Sequence, residues 1–531
     1  MKVEKQIPII VGVTGHRALR IGDTDALQVA VIRELQALRQ RVPHSPVVLL
    51  TSLAEGGDLL CADAARTLQI PVAAALPMEQ ERFTKDFPAE DRLRFETHCR
   101  DAADVFVVPF TEEPQGDADA DFLYRQAGIY ISSHCHVLLA LWDGGQPTPD
   151  GCGTAEAVAF ALNGAYRPKG GMPLRSADNV AVIHILTPRG DQTGAAGETR
   201  QLGNIAASAE ILSRTDEFNR LAAETETQHA LLPGQDGEDG VLLHLETLYH
   251  AADTLSIRHA VKYRRALSLL ALASTVVAAA FLLYDEVNLS WMLIVCGAML
   301  ACAWLCSRSA KKSGCHRRYL EYRALAEALR VQAFLRYAGS PLEAAELFGW
   351  AQREETAWVL AALCALTVGK APQHAHEISE CWVDAQRQYH HGAQKRSARR
   401  AAHSDRIVQA ALMASIAMYA AGLALELLSG GLLFRPAFAL PRLETWRVVL
   451  KVALGSLSAA TLFISNYYGK LSLPRACSDH AKLERFYAAA AGRLKQDGQT
   501  EALLRQLAHE ELIENGNWCS YQRDNAPDLS L

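Results

Sequence analysis

The sequence predicts an α/β protein with an α-helical membrane part: an N-terminal doubly wound parallel sheet, then long helices and two transmembrane helical hairpins. Two patterns carry that reading. Across residues 7–190, short continuous apolar runs alternate with amphipathic ones, the rhythm of β-α-β units whose strands are covered on both faces. Beyond residue 245 lie four apolar blocks, each near the length of about twenty residues that a helix needs to cross a bilayer.

The strands come first. IPIIVGVTG at 7–15 reads as a buried opening strand, and residues 26–41 have helical periodicity. PVVLLTSL at 46–53 is a second strand, followed by a Gly pair and a helix from about residue 59 to 68. PVAAALPM (71–78), ADVFVVPF (103–110), HVLLALWDG (136–144) and NVAVIHILTP (179–188) supply four more. These elements define a domain at residues 1–200, with a helical linker at 201–244.

Residues 266–284 hold no charge and follow Lys262, Arg264 and Arg265; residues 287–306 precede Arg308, Lys311 and Lys312. Only Asp285 and Glu286 separate the two blocks. That is a tight hairpin with both basic ends on one side of the membrane. A second hairpin is expected at about 407–428 and 448–469, after the basic run Lys395, Arg396, Arg399, Arg400 and Arg406 and before Lys470 and Arg475. Its loop carries Arg435, Arg442 and Arg447, and Lys451 sits at its edge; such side chains can snorkel to the interface. The flanks repeat as well, each half being a basic helix, a hairpin and a returning amphipathic helix. The units are placed at 245–345 and 381–520, joined by linker helices at 346–380. Small residues four apart (Gly297 and Ala301, Ala411 and Ser415, Gly455 and Ala459) suit close helix packing in a homo-oligomer.

Composition narrows the function. The net charge is −6, and no basic domain with interleaved aromatics occurs, so no nucleic-acid partner is expected. Twelve cysteines form no paired CxxC array and read as reduced thiols. The run His134-Cys135-His136 opens an apolar strand without distant ligands, so no metal site is expected. The first fifteen residues lack a signal-peptide core, which predicts a multi-pass protein of the inner membrane with both termini in the cytoplasm.

Ligands of open α/β sheets sit at the carboxyl ends of the strands. Three clusters fall there: Thr14-Gly15-His16-Arg17; Ser52 with Glu55-Gly56-Gly57-Asp58; and Gly151-Cys152-Gly153-Thr154-Ala155-Glu156. Glycines permit close backbone approach, and helix N-termini present unpaired N–H groups to an anion. Arg17 can add a bidentate phosphate contact, while His16 and Glu55 can read ribose or base edges. Neither a P-loop nor a well-placed GxGxxG is present, which argues against ordinary NTPases and dehydrogenases.

At these clusters the domain resembles the SLOG superfamily, the Rossmann-like group that includes the Lonely Guy (LOG) proteins and the DNA-processing protein A domain. The T-G-H-R strand end, the G-G-D helix start and the G-x-G-T-x-E loop carry the likeness. The membrane half resembles SLATT domains, the two-transmembrane effector modules associated with SLOG, present here twice. The resemblance implies a cytosolic sensor of a nucleotide-derived messenger (a cyclic nucleotide or ADP-ribose relative) fused to a membrane-permeabilising effector of bacterial antiphage defence. A similar region stands at the cytoplasmic N-terminus of melastatin-type TRP channels. No cofactor beyond that signalling ligand is implied. By carry-over, Gly15, His16 and Arg17, then Gly56, Gly57 and Asp58, then Gly153, Thr154 and Glu156 match the three ligand loops. Enzymatic LOG proteins release a base from a nucleotide with an Arg and the motif Glu. Glu156 fits the latter, but their M-x-x-R-K stretch has no counterpart here, leaving Arg125 as the substitute. A membrane-tethered nucleotide hydrolase and a scaffold without ligand are the alternatives.

Overall fold

The six apolar runs form six strands: β1 Ile9–Gly15, β2 Val47–Thr51, β3 Val72–Leu76, β4 Asp104–Val107, β5 Val137–Trp142 and β6 Ala181–Leu186. A seventh, β7 Thr199–Leu202, completes a sheet in the order β4-β3-β2-β1-β5-β6-β7, parallel throughout except that β7 runs antiparallel to β6. The sequence reading did not include β7 because Thr-Arg-Gln-Leu is an edge strand whose two central side chains are exposed, so no apolar run marks it. The computed structural model describes residues 5–110, 118–148, 151–163, 180–190, 192–226, 231–233, 239–372, 374–429, 443–471 and 473–524.

The strands alternate with α1 Thr24–Arg41, α2 Gly57–Thr67, α3 Gln80–Phe83, α4 Ala89–Asp101, α5 Ala120–His134, α6 Thr154–Asn163 and α7 Ile205–Ala222. Successive strand residues point to opposite faces, and β1 shows the consequence. Ile9, Val11 and Val13 pack with Leu27, Val31 and Leu35 of α1 and Leu59 of α2. Ile10 packs on the other side with Leu138 and Ala140 of β5, Ile131 of α5 and Val158 of α6. Helix α7 buttresses the start of β1: Asn219 Oδ1 accepts from Ile7 N at 2.7 Å, and Asn219 Nδ2 donates to Ile7 O at 2.9 Å.

The remainder is mostly helical: α8 Gly240–Val287, α9 Met292–Ser313, α10 Cys315–Tyr337, α11 Trp350–Glu355, α12 Ala357–Leu366, α13 Ala385–Ser429, α14 Leu443–Leu471, α15 Leu473–Asp497 and α16 Glu501–Asp524. Two compact units share the chain non-sequentially. One comprises Met1–Leu255, Glu321–Glu377 and Glu501–Asn517; the other comprises Ser256–Leu320, Ile378–Thr500 and Trp518–Leu531.

In the first unit, α12 lies within the stretch the sequence suggested as linker helices, yet it is a core element. It is apolar but only ten residues long, too short to cross a bilayer. Ala365 joins the core on the α5 face of the sheet, and the Trp358 ring lies 6.1 Å from Phe218 and 6.2 Å from Tyr322.

In the second unit the long helices carry their apolar residues outward. Among the described residues, three helical stretches are long and apolar enough to cross a membrane: Gly240–Val287, Met292–Tyr337 and Ser379–Leu427. Of their most apolar windows only 17%, 17% and 0% is buried, so these segments are not the core of a water-soluble fold. Leu272, Ile294 and Met413 are 58%, 75% and 64% exposed. They are candidate membrane spans. Helices α8 and α9 run side by side in opposite directions: Cys296 Sγ approaches Val277 O at 3.7 Å, and further along Ala266 and Ala310 share a buried cluster. The expected fourth span falls on α14, whose side chains beyond residue 461 lie outside the described residues, as do Arg435 and Arg442 in the preceding loop.

Candidate functional site

The strand order reverses between β1 and β5, since β2, β3 and β4 extend to one side of β1 while β5, β6 and β7 extend to the other. At such a switch point the connections leave in opposite directions and open a crevice beyond the strand ends. The sequence clusters at residues 14–17 and 52–58 converge here. His16 N donates to Leu141 O at 3.1 Å, closing the β1–β5 ladder, and Gly57 N donates to His16 O at 2.9 Å, tying α2 to the same turn.

That convergence requires glycine. Gly56 has φ +83°, and a Cβ there would lie 2.1 Å from Arg17 O and 2.5 Å from His16 O. Gly15 and Gly57 meet face to face: a Cβ added to either would lie 2.8 Å from the other's Cα. A side chain at any of the three would push α2 off β1.

The polar residues divide into those that build the loops and those that face the crevice. Asp58 is buried; its Oδ2 accepts from Thr51 Oγ1 at 3.0 Å, and the backbone of Ser52 and Ala54 also bonds its carboxyl. Burial pushes its pKa up to about 7 against the pull of those donors and of Arg17. Glu156 acts similarly in its own loop. Oε1 accepts from Thr148 N at 2.7 Å and Thr148 Oγ1 at 2.9 Å, and Oε2 accepts from Gly153 N at 2.9 Å. Burial opposes the charge, but these donors prevail and hold the carboxyl below its ordinary range. Gly151 sits where a Cβ would lie 2.1 Å from Glu156 Oε1, so the loop wraps the carboxylate only because that residue is glycine. Thr154 is buried in the first turn of α6.

His16, Arg17 and Glu55 stand at the opening. The His16 ring Nε2 lies 3.1 Å from both Asp143 Oδ1 and Asp143 N. One nitrogen cannot serve both at once: unprotonated it accepts from the Asp143 N–H, and protonated it donates to the carboxylate. Burial lowers the His16 pKa, with Asp143 opposing and Arg189 reinforcing the shift, so the ring is neutral at neutral pH. Exposed Arg17 lies over the Tyr124 ring at 4.6 Å. Glu55 is half-buried at the tip of the β2–α2 turn and makes no hydrogen bond or ion pair among the described residues.

Sequence reasoning missed several participants. Asp143 and Arg189 follow β5 and β6, so the strand-end rule that selected the other clusters also reaches them. Gln192 Nε2 approaches Asp143 Oδ2 at 3.4 Å, and Arg20 Nη1 donates to Gln192 O at 3.1 Å, contacts that no sequence signal announces. Arg125 follows Tyr124 on α5, and its Nε is buried without a hydrogen-bond partner among the described residues; no described contact joins it to Glu156. The His134-Cys135-His136 run splits apart. His134 Nε2 meets Glu343 Oε1 at 2.9 Å, while His136 Nδ1 accepts from Ile10 N at 3.1 Å under the sheet.

No protein-family model matches the chain, and no curated protein matches it. Arg17 and Arg189 border a turn-lined opening between two helix N-termini, while Asp58 and Glu156 are turned into their own loops. The balance suits an anion.

Proposed function

We propose that this chain is a membrane-embedded receptor and effector. In this reading the crevice between β1 and β5 takes a phosphate-bearing, nucleotide-derived messenger, and the apolar helices respond by assembling into a permeabilising structure. The observation that carries it is α8, a single helix from Gly240 to Val287 that contributes residues both to the sheet-bearing unit and to the outward-facing apolar unit. A ligand that binds one conformation of the crevice more tightly shifts the population of that conformation, and a continuous helix gives the shift a route toward the bilayer.

The resemblance to SLOG and SLATT domains points the same way, toward a multi-pass protein of the bacterial inner membrane with two hairpins, acting as a homo-oligomer in antiphage defence. The engagement of Glu156 by three loop donors favours binding over base release, because a general acid or base must reach the substrate.

The test is dye release from liposomes holding the full-length protein, challenged with cyclic nucleotides and ADP-ribose relatives, beside mass spectrometry of nucleotide copurifying with it. Release that depends on one nucleotide and disappears in Arg17→Ala is expected. A bound nucleotide without any release would sink the effector half, and release indifferent to every nucleotide would sink the receptor half.

A further inference from the structure

The second unit carries a plane of cations whose placement is not explained by the receptor or by helix packing. Two ion pairs fix one end of the unit: Lys451 Nζ to Glu286 Oε2 at 3.2 Å, and Arg447 to the Glu426 carboxylate at 2.6 and 2.7 Å. From Glu286 back to Lys262 along α8 is about 36 Å at about 1.5 Å rise per residue, and from Glu426 back to Arg400 along α13 is about 39 Å. Each distance is a little more than the roughly 30 Å hydrocarbon thickness of a bilayer.

At those far positions the basic residues gather. Tyr263 stacked on His316, with Ala266 and Ala310 in one buried cluster, sets Lys262, Arg264 and Arg265 of α8 beside Lys311 and Lys312 of α9. Cys477 Sγ approaches Gln394 O at 3.9 Å, which sets Arg475 of α15 beside Lys395 and Arg396 of α13. All of these cations are exposed. Lys262, Arg265, Lys311, Lys312, Arg399 and Arg400 have no ion pair among the described residues. The acids interspersed in these segments are Asp405 and Asp479, and Asp479 is already held by Lys482 at 3.0 Å. Beside the plane, Arg308 lies 5.6 Å over the exposed Trp304 ring, a pairing suited to a membrane–water boundary.

We infer that this plane binds the headgroups of anionic phospholipids in the leaflet it borders, so that the protein gathers anionic lipids from a mixed bilayer. The inference rests on the membrane reading above. Exposed cations at the edge of an outward apolar band meet phosphates there, each adding to a surface attraction that falls off within a Debye length.

The experiment reconstitutes the full-length protein into nanodiscs of mixed phosphatidylcholine and phosphatidylglycerol and counts the lipids retained on the released protein by native mass spectrometry. Flotation with liposomes of each composition is run in parallel. Wild-type protein should float with both and retain phosphatidylglycerol about tenfold over phosphatidylcholine. The variants K395Q/R396Q/R399Q/R400Q and K262Q/R265Q should still float but lose most of that preference, while R493Q/K495Q, on the exposed far end of α15, should keep it. Flotation without any lipid preference, or a preference untouched by both basic-plane variants, overturns the inference and leaves the membrane reading standing. Failure to float with either composition overturns both.

Discussion

Replacing Gly56 with alanine tests whether the crevice depends on the contact between β1 and α2. The residue holds φ +83° and ψ −116°, a region that side-chain-bearing residues rarely enter; forcing one there costs about 1–3 kcal/mol. The new methyl would also lie 2.1 Å from Arg17 O and 2.5 Å from His16 O, backbone atoms that cannot rotate aside. Overpacking of that kind adds about 1–3 kcal/mol. The sum is on the order of 4 kcal/mol, carried by the tie between Gly57 N and His16 O. Hydrogen exchange on the full-length protein in detergent reads it locally. Amides of residues 9–17 and 57–67 should exchange up to about a thousandfold faster, at a factor of ten per 1.4 kcal/mol. Gly22→Ala is the control: nothing lies within 4 Å of its added Cβ, so exchange should stay near that of the wild type. If Gly56→Ala leaves those amides as protected as Gly22→Ala does, the turn is not held by this contact and the crevice described above is wrong.

Three further outcomes are expected. Glu156→Gln loses charge-assisted bonds from Thr148 and Gly153 worth about 2–4 kcal/mol together, so amides at 151–163 should exchange faster, with no base release from nucleoside monophosphates by either protein; turnover lost without loosening would favour the hydrolase. Burial holds His136 at a pKa of about 4 in the folded protein, below its ordinary 6.5, so the unfolded chain binds the extra proton between those values and stability falls as pH drops through that window, by up to about 3 kcal/mol. His136→Asn keeps an acceptor for Ile10 N–H and should flatten the acid side of a Tm-against-pH curve; an unchanged acid limb would contradict the assignment. Ile416, 52% exposed in α13, should face lipid, so Ile416→Arg should lower the carbonate-resistant membrane fraction, at a cost of about 2.5–3.5 kcal/mol near the centre of a span; unaltered extraction would place that face in water.

The sequence announced most of the sheet because a strand covered on both faces must be apolar at nearly every position, and six such runs are hard to mistake. Its polar edge strand obeys no such demand and was invisible. The glycine clusters were legible for the same local reason, since a turn requiring positive φ or backbone contact leaves only glycine. The direction of each acid was not. Asp58 and Glu156 read as ligand groups, and only the folded loops show their carboxylates turned inward onto Ser52, Ala54, Thr148 and Gly153.

Length and hydropathy likewise sufficed to single out the apolar helices, because a bilayer sets a fixed minimum span. Length also set apart α12, equally apolar but ten residues long; that it is a core element beside the sheet and not a linker depends on what it packs against. Chain order fixed which residues end each strand. The pairing of His16 with Asp143, some 127 residues apart, needed the reversal of strand order between β1 and β5, a decision made by the whole sheet and by no segment of it.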